Sequence, residues 1–296
     1  MSSENAGTGQ VLQLFVTNHP RSFGTFSYVY PVVSRRAGGV SIGINLNPDK
    51  ICNFDCVYCQ VERVKPLVPQ EIDLDRLRAE LAEMLAWITR EGIFEHPAFA
   101  DLPRERRRVH DIAFSGDGEP TACPKFKEAV QIAAEARRNL GFEPLKIVLI
   151  TNATLLDRPQ VEEGLAILDA NNGEIWAKLD AGTPGYFARV ARTKIPFDRI
   201  LKSITHAACK RPIVIQSLFM RLDGEPPSEA ELHAYCERLN EIGQQGGKIK
   251  LVQIYTVSRK PAESFVSSLS DAELSAIGEM VRQRTGLPVA VFGSLG

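Results

Sequence analysis

Cys52, Cys56 and Cys59 fall within eight positions, as C-x3-C-x2-C in the stretch Ile51-Cys52-Asn53-Phe54-Asp55-Cys56-Val57-Tyr58-Cys59. Cysteine thiolates ligate iron–sulfur clusters, and a cube of about four irons takes as many protein ligands as a rule. Three cysteines packed this closely cannot share one rigid strand or helix face; they need a loop that wraps a cluster. Three also leave one iron without a protein ligand, and an open coordination position is what a catalytic metal needs. C-x2-C also occurs in zinc sites, which require a fourth Cys or His. His19, His96, His110, His206 and His233 are all distant and lack knuckle spacing with the triad. A redox C-x-x-C is the other reading, but it leaves Cys52 unexplained.

C-x3-C-x2-C with an aromatic just before the last cysteine resembles the signature of the radical S-adenosylmethionine (radical SAM) superfamily. The resemblance implies that Cys52, Cys56 and Cys59 hold a [4Fe-4S] cluster whose fourth iron is chelated by SAM. It implies that Tyr58 contacts the adenine of SAM. It also implies an electron donor, a reductant such as a ferredoxin or flavodoxin, and release of a 5′-deoxyadenosyl radical that abstracts hydrogen.

Elements must carry this loop. Ser41–Asn47 reads as a strand ended by Pro48, with the cysteines at its C-terminal end. Before it, Val11–Val16 and Phe26–Val33 read as strands or an extended cap, with Tyr28 and Tyr30 alternating as in a half-buried strand. Leu74, Leu77, Leu81, Met84, Leu85 and Ile88 repeat at three and four residues and predict a helix over Asp73–Arg90. Strands are then expected at Asp111–Ser115, Lys146–Thr151, Glu174–Asp180, Ile213–Met220, Lys250–Val257 and Val289–Phe292. Helices are expected at Pro124–Asn139, Arg158–Ala170, Tyr186–Ala191, Asp198–Lys210, Glu229–Gln244 and Asp271–Arg284. Ser228 with Glu231, and Ser270 with Glu273, each read as a capping box. The alternation argues for a parallel sheet with right-handed crossovers. Six βα units from Ser41 fall short of the eight of a closed barrel. The expected fold is therefore α/β, a partial (β/α)6 TIM-like barrel of the radical SAM type. Residues 1–40 would form a tail and cap, and residues 41–296 the core with a C-terminal helix and strand.

In such barrels chemistry sits at the C-terminal ends of the strands. Strand two runs into Ser115-Gly116-Asp117-Gly118-Glu119-Pro120-Thr121. The resembling family carries G-G-E-P here and binds the SAM amino group with it. Gly118, Glu119 and Pro120 match, while Asp117 stands where the first glycine usually is. Gly224-Glu225-Pro226 repeats the triplet later, but order along the chain favours the first. Thr151-Asn152-Ala153-Thr154 is similar to the family's T-N-G; Thr151 and Asn152 could bond SAM or cap the next helix. On Trp176-Ala177-Lys178-Leu179-Asp180-Ala181, alternation puts Lys178 and Asp180 on the lumen side, where they must pair or meet a ligand. Gln216 is a candidate SAM or substrate contact, and Arg259 and Lys260 could hold a carboxylate or phosphate.

K-L-D-A on strand four with Q-I-Y-T-V-x-R-x-P-A-E on strand six is similar to the wyosine-synthetase-like group. Namesakes of that group condense pyruvate with a methylated guanosine of tRNA, use a reactive lysine and carry upstream cysteines for a second cluster. No cysteine precedes Cys52, so a single cluster is expected, with Lys178 the candidate Schiff-base lysine. The substrate stays open, with RNA one class. The run Arg104-Glu105-Arg106-Arg107-Arg108 reads as a solvated face or a phosphate-contacting patch. Other readings are an activase or maturase acting on a protein, and a zinc- or cluster-stabilised binding module without catalysis.

Net charge is −1 over 296 residues, so no global charge argues for nucleic acid or membrane. No apolar run reaches a membrane span, and the scattered Cys123, Cys209 and Cys236 do not suggest a disulfide framework. A cytoplasmic protein with no membrane partner is expected.

Overall fold

The computed structural model describes residues 21–293 apart from 22, 35, 37, 64–67, 91, 98, 101, 140, 142–144, 259–260 and 262. The expected strand at Val11–Val16 and the side chains of His19, Arg259 and Lys260 lie outside the described residues. The chain divides into two compact units, and strands alternate with helices in both.

The first unit comprises Met1–Ile51, Pro66–Leu149 and Glu163–Gly173. Strand β1 (Val29–Ser34) pairs antiparallel with β2 (Gly39–Ile44), which runs parallel to β3 (Val109–Phe114), itself parallel to β4 (Lys146–Thr151). Helix α1 (Leu74–Thr89) starts where the Asp73 side chain accepts the N–H groups of Asp75 and Arg76 at 3.0 Å each. It buries Leu77, Leu81, Met84, Leu85 and Ile88, as the periodicity predicts. Glu80 lies on that buried face too, although a charge there breaks the pattern. Its carboxylate accepts the N–H groups of Ser27, Tyr28 and Val29 at 2.7, 2.8 and 3.1 Å, and Arg76 at 2.8 Å. The helix thus supplies hydrogen bonds that the leading edge of β1 needs. Val29 is as buried as Tyr28 and Tyr30, so β1 is covered on both faces rather than half-buried. Helices α2 (Phe126–Asn139) and α3 (Pro159–Asp169) follow β3 and β4.

The second unit comprises Cys52–Lys65, Ile150–Glu162 and Glu174–Gly296. Strands β5 (Gly173–Lys178), β6 (Ile213–Leu218), β8 (Ile249–Tyr255) and β10 (Val289–Phe292) are parallel neighbours in that order. Helices α4 (Pro184–Ala191), α5 (Phe197–Lys210), α6 (Glu229–Gln244) and α7 (Asp271–Thr285) separate them in sequence. A two-residue ribbon, β7 (Arg221–Leu222) against β9 (Val266–Ser267), has no counterpart in the sequence reading. Directly after β7 the chain makes a separate tight turn, in which Leu222 and Glu225 bridge across Asp223 and Gly224, both at positive φ, so the first two residues of the later Gly224-Glu225-Pro226 triplet belong to a two-residue hairpin turn.

The two capping boxes differ. At α7 both halves form: Ser270 Oγ accepts the Glu273 N–H at 3.3 Å, and Glu273 Oε2 accepts the Ser270 N–H at 2.9 Å. At α6, Ser228 Oγ accepts the Glu231 N–H at 3.2 Å, but the Glu231 carboxylate turns away. It takes the Gly182 N–H at 2.5 Å and the Thr183 hydroxyl at 2.5 Å instead. Two unpaired donors in the buried turn after β5 outcompete one exposed N-cap donor.

Candidate functional site

The cysteine loop belongs to the second unit and is fastened by its backbone. The Asp55 N–H donates to the Ala191 carbonyl at 3.1 Å and the Val57 N–H to the Val190 carbonyl at 3.0 Å. Those carbonyls end α4 and lack partners within the helix. The Thr193 hydroxyl donates to the Asn53 carbonyl at 2.9 Å, and the Cys59 N–H to the Cys56 carbonyl at 2.9 Å. Val57 packs with Val190, Leu218, Met220 and Tyr255. The loop is therefore shaped by protein contacts, and Cys52, Cys56 and Cys59 are partly exposed as whole residues.

Two residues that the sequence reading passed over shape this loop further. Asn53 donates through Nδ2 to Thr154 Oγ1 at 2.8 Å and accepts Asn152 Nδ2 at 2.6 Å. Arg63 Nη1 donates to Cys59 Sγ at 3.2 Å, and the Phe54 N–H to Cys52 Sγ at 3.5 Å. The signal for Asn53 was only a polar residue between two cysteines; its partners lie about 100 positions away, at separations of 101 and 99.

Thr151 and Asn152 do not cap α3, which starts at Pro159. Thr151 Oγ1 accepts the Ala153 N–H at 3.0 Å, and Asn152 Oδ1 accepts the Thr154 N–H and hydroxyl at 3.2 and 2.8 Å. Ala153 stands in the left-handed region at φ 63°, where a glycine would sit more comfortably. The segment is a tight turn that buttresses the cysteine loop through Asn53.

Across β5, β6 and β8 the register sets Lys178 beside Gln216 and Gln216 beside Gln253. Side chains join this row into a chain of contacts. Gln216 Nε2 donates to Gln253 Oε1 at 3.1 Å, the Tyr255 hydroxyl donates to Gln216 Oε1 at 3.3 Å, and Lys178 Nζ donates to Tyr255 Oη at 2.6 Å. Lys178 Nζ pairs with Asp180 Oδ1 at 3.2 Å, and the Tyr58 hydroxyl donates to Asp180 Oδ2 at 2.5 Å. Asp180 also accepts the Leu218 N–H at 2.8 Å. The Lys178 ammonium lies 5.0 Å from the Tyr58 ring centroid and 4.9 Å from that of Tyr255. Lys178 and Asp180 thus pair as well as facing one interior, and Gln216 is buried with both amide ends engaged by protein.

Electrostatics follow from this packing. Burial pushes the Cys56 thiol up to about 12, with the Asp180 charge adding to it and Tyr58 and Lys178 opposing it. Burial likewise holds the Tyr58 phenol well above its usual range, reinforced by Asp180. For Lys178, burial works downward, but Asp180 and Tyr255 outweigh it and the ammonium is held above the usual lysine range. A lysine in that state carries its proton and is a poor nucleophile.

In the first unit, the Ser115–Thr121 segment leaves β3. Its start is held by the Tyr30 hydroxyl, which donates to the Ser115 carbonyl at 3.0 Å. Asp117, the departure from G-G-E-P, accepts Asn45 Nδ2 at 2.7 Å and pairs with Arg21 at 3.2 Å. The carboxylate replaces a flexible glycine with a fixed cross-strand anchor. Gly118 has no room for a side chain: a Cβ would stand 2.1 Å from the Ile51 carbonyl oxygen. Glu119 Oε1 accepts the Thr121 N–H and hydroxyl at 3.2 and 2.5 Å, and Pro120 opens a short 3-10 turn. Glu119 therefore shapes its own turn.

The donor set fits an iron–sulfur cube. Three reduced thiols lie on one pinned loop, with N–H donors aimed at two of the sulfurs, the contacts that tune such clusters. Among the described residues, no three Cys, His, Asp or Glu side chains are grouped as a single metal ion requires. Thiolates of a cube bind separate irons and need no such convergence.

The model of the Radical SAM superfamily matches residues 46–234. The chain belongs to the radical SAM superfamily, whose members bind a [4Fe-4S] cluster and SAM and need an electron donor. It is similar to a protein described as GTPase Obg of Brachyspira hyodysenteriae, at 24% identity over 82% of this chain and 32% of that one. It is also similar to a UPF0026 protein of Synechocystis, at 29% identity over 61% of this chain and 59% of that one. The chain thus spans between a third and three fifths of these relatives. A solved structure of TYW1 with a bound lysine–pyruvate adduct superposes with TM-score 0.51 at 15% identity, covering 82% of this chain and 73% of that one. The fold is accordingly the α/β, partial (β/α)6 barrel type of this superfamily. No described helix is long and apolar enough to cross a membrane.

Proposed function

We propose that this chain is a single-cluster radical SAM enzyme of the wyosine-synthetase-like group, with Cys52, Cys56 and Cys59 as cluster ligands. The pinned loop with its two N–H···S contacts is the observation that supports this most directly. When bound, the cluster and SAM supply reductive cleavage to a 5′-deoxyadenosyl radical. The chain's own residues do the rest. Tyr58, its hydroxyl fixed by Asp180, offers a ring face to adenine. Gly118, Glu119 and Pro120 present backbone to the SAM amino group; Thr151 and Asn152 hold the cluster loop, and Gln216 orders the interior row. Lys178 and Asp180 form the catalytic pair. Because Asp180 keeps Lys178 protonated, the lysine serves as a fixed cation toward the substrate; a Schiff-base role would require that carboxylate to be neutralised first. A reducing cytoplasm and a ferredoxin- or flavodoxin-like donor suit such a cluster.

Anaerobic reconstitution with iron and sulfide tests the proposal. Reduction with dithionite in the presence of SAM should release 5′-deoxyadenosine. Stoichiometric zinc uptake with no SAM cleavage would overturn it.

RNA as the substrate class has its own test. Arg107 is committed to the Leu102 and Ala100 carbonyls, at 2.8 and 2.5 Å, so it braces the segment. Arg108 and Lys146 bear on His110, whose imidazole is pulled down first by burial and then by those charges. This basic edge lies at the N-terminal ends of β3 and β4. If RNA docks there, Arg106→Ala with Arg108→Ala should weaken tRNA binding and flatten its dependence on salt by about two phosphate contacts. Unchanged binding and slope would remove this edge from the RNA-binding reading.

A further inference from the structure

We infer that the Arg63 guanidinium raises the reduction potential of the cluster, through its contact with Cys59, an inference that rests on reading Cys52, Cys56 and Cys59 as cluster ligands. Arg63 Nη1 donates to Cys59 Sγ at 3.2 Å, from four positions further along the chain. The Cys52 sulfur and the Asp55 carboxylate act on the same guanidinium, so its charge is felt at two of the three sulfurs. Asp55 is exposed, and water screens its charge, whereas Arg63 is half-buried against the loop. The other contacts at the loop are of a different kind. Cys52 Sγ meets the Phe54 N–H, a neutral donor, at 3.5 Å. Beside Cys56, the Lys178 ammonium is paired with Asp180 at 3.2 Å, which offsets its charge.

The sign follows from charge. A cysteine that ligates iron does so as the thiolate, so the Arg63 contact becomes a charge-assisted one. Thiolate ligands make the site electronegative, and taking up an electron makes it more so. A fixed cation at a ligand sulfur stabilises the reduced state over the oxidised one, since net charge and hydrogen bonds to the sulfurs set such potentials. A guanidinium keeps its proton throughout, so the effect needs no titration. The donor loses a single electron and the cluster gains it; no bond of the protein forms or breaks, and no proton moves. Arg63 would thus make the cluster easier to reduce by a ferredoxin- or flavodoxin-like donor.

The test is a potentiometric titration of full-length protein, reconstituted anaerobically with iron and sulfide and without SAM, followed by the electron paramagnetic resonance signal of the reduced cluster. Arg63→Gln removes the charge and keeps an amide donor. At a fixed potential its ratio of reduced to oxidised cluster should fall about tenfold, a midpoint lower by about 59 mV for a one-electron couple. Arg63→Lys keeps the charge and should stay within about threefold of wild type in that ratio. A wild-type midpoint in Arg63→Gln would overturn the inference. So would an equal fall in the glutamine and lysine variants, the mark of a residue that only shapes the loop. Should Arg63→Gln fail to take up the cluster, Arg63→Lys decides: a ratio within about threefold of wild type supports the inference, and a fall of about tenfold overturns it. Failure of the underlying reading shows separately, in wild-type protein that takes up no iron and sulfide, which would overturn both.

Discussion

Replacing Cys56 with alanine is expected to abolish SAM cleavage and leave the fold standing. The loop does not depend on the thiol for its shape. Asp55 and Val57 fasten it to α4 through backbone N–H groups, Thr193 holds Asn53, and Val57 anchors it in a hydrophobic cluster. Loss of one small side chain should cost about 1 kcal/mol in folding stability. Loss of one of three ligands should be far more serious for the cluster, because three already leave one iron open. The check is iron and sulfide content with 5′-deoxyadenosine release under reduction, read beside a thermal melt. Cleavage at the wild-type rate would refute Cys56 as a ligand.

Asp180→Ala should strongly destabilise the second unit. It would strip the Lys178 ammonium of its carboxylate and leave the Tyr58 hydroxyl and the Leu218 N–H without their acceptor. The Lys178 and Asp180 side chains are only 15% and 11% exposed, so water replaces little of what is lost. Breaking one side of a buried ion pair typically costs about 3–5 kcal/mol. A parallel Lys178→Met in the Asp180→Ala background should recover part of that loss by removing the stranded charge. Equilibrium denaturation measures both. A loss below about 1 kcal/mol for Asp180→Ala would mean that the pair behaves as a surface ion pair.

The sequence made the elements legible where a single period governs them. The Leu77, Leu81, Met84 and Leu85 repeat defines α1, and Val289–Phe292 is a strand as expected. Local chemistry was less complete. The Ser228–Glu231 spacing signals a helix start, yet the carboxylate's destination at Gly182 depends on which donors the fold buries nearby. Glu80 escaped notice because a charged residue on a buried face carries no periodic signal. The candidate site was legible in its residue types. Lys178, Gln216 and Gln253 were each picked out or passed singly, whereas their alignment in one row is a property of strand register, which no single strand encodes. The tie of Asn152 to Asn53, at a sequence separation of 99, belongs to the same class.

Glu231 moors the backbone just after Asp180 to the first turn of α6, through Gly182 and Thr183. Gly182 is also pressed against α6 itself, where a Cβ would stand 2.1 Å from the Tyr235 nitrogen. A displacement of that helix would therefore drag the carboxylate that positions both the lysine and the tyrosine. If Lys178 and Asp180 form the catalytic pair proposed above, an antibody fragment gripping the outer surface of α6 would brake turnover from a distance.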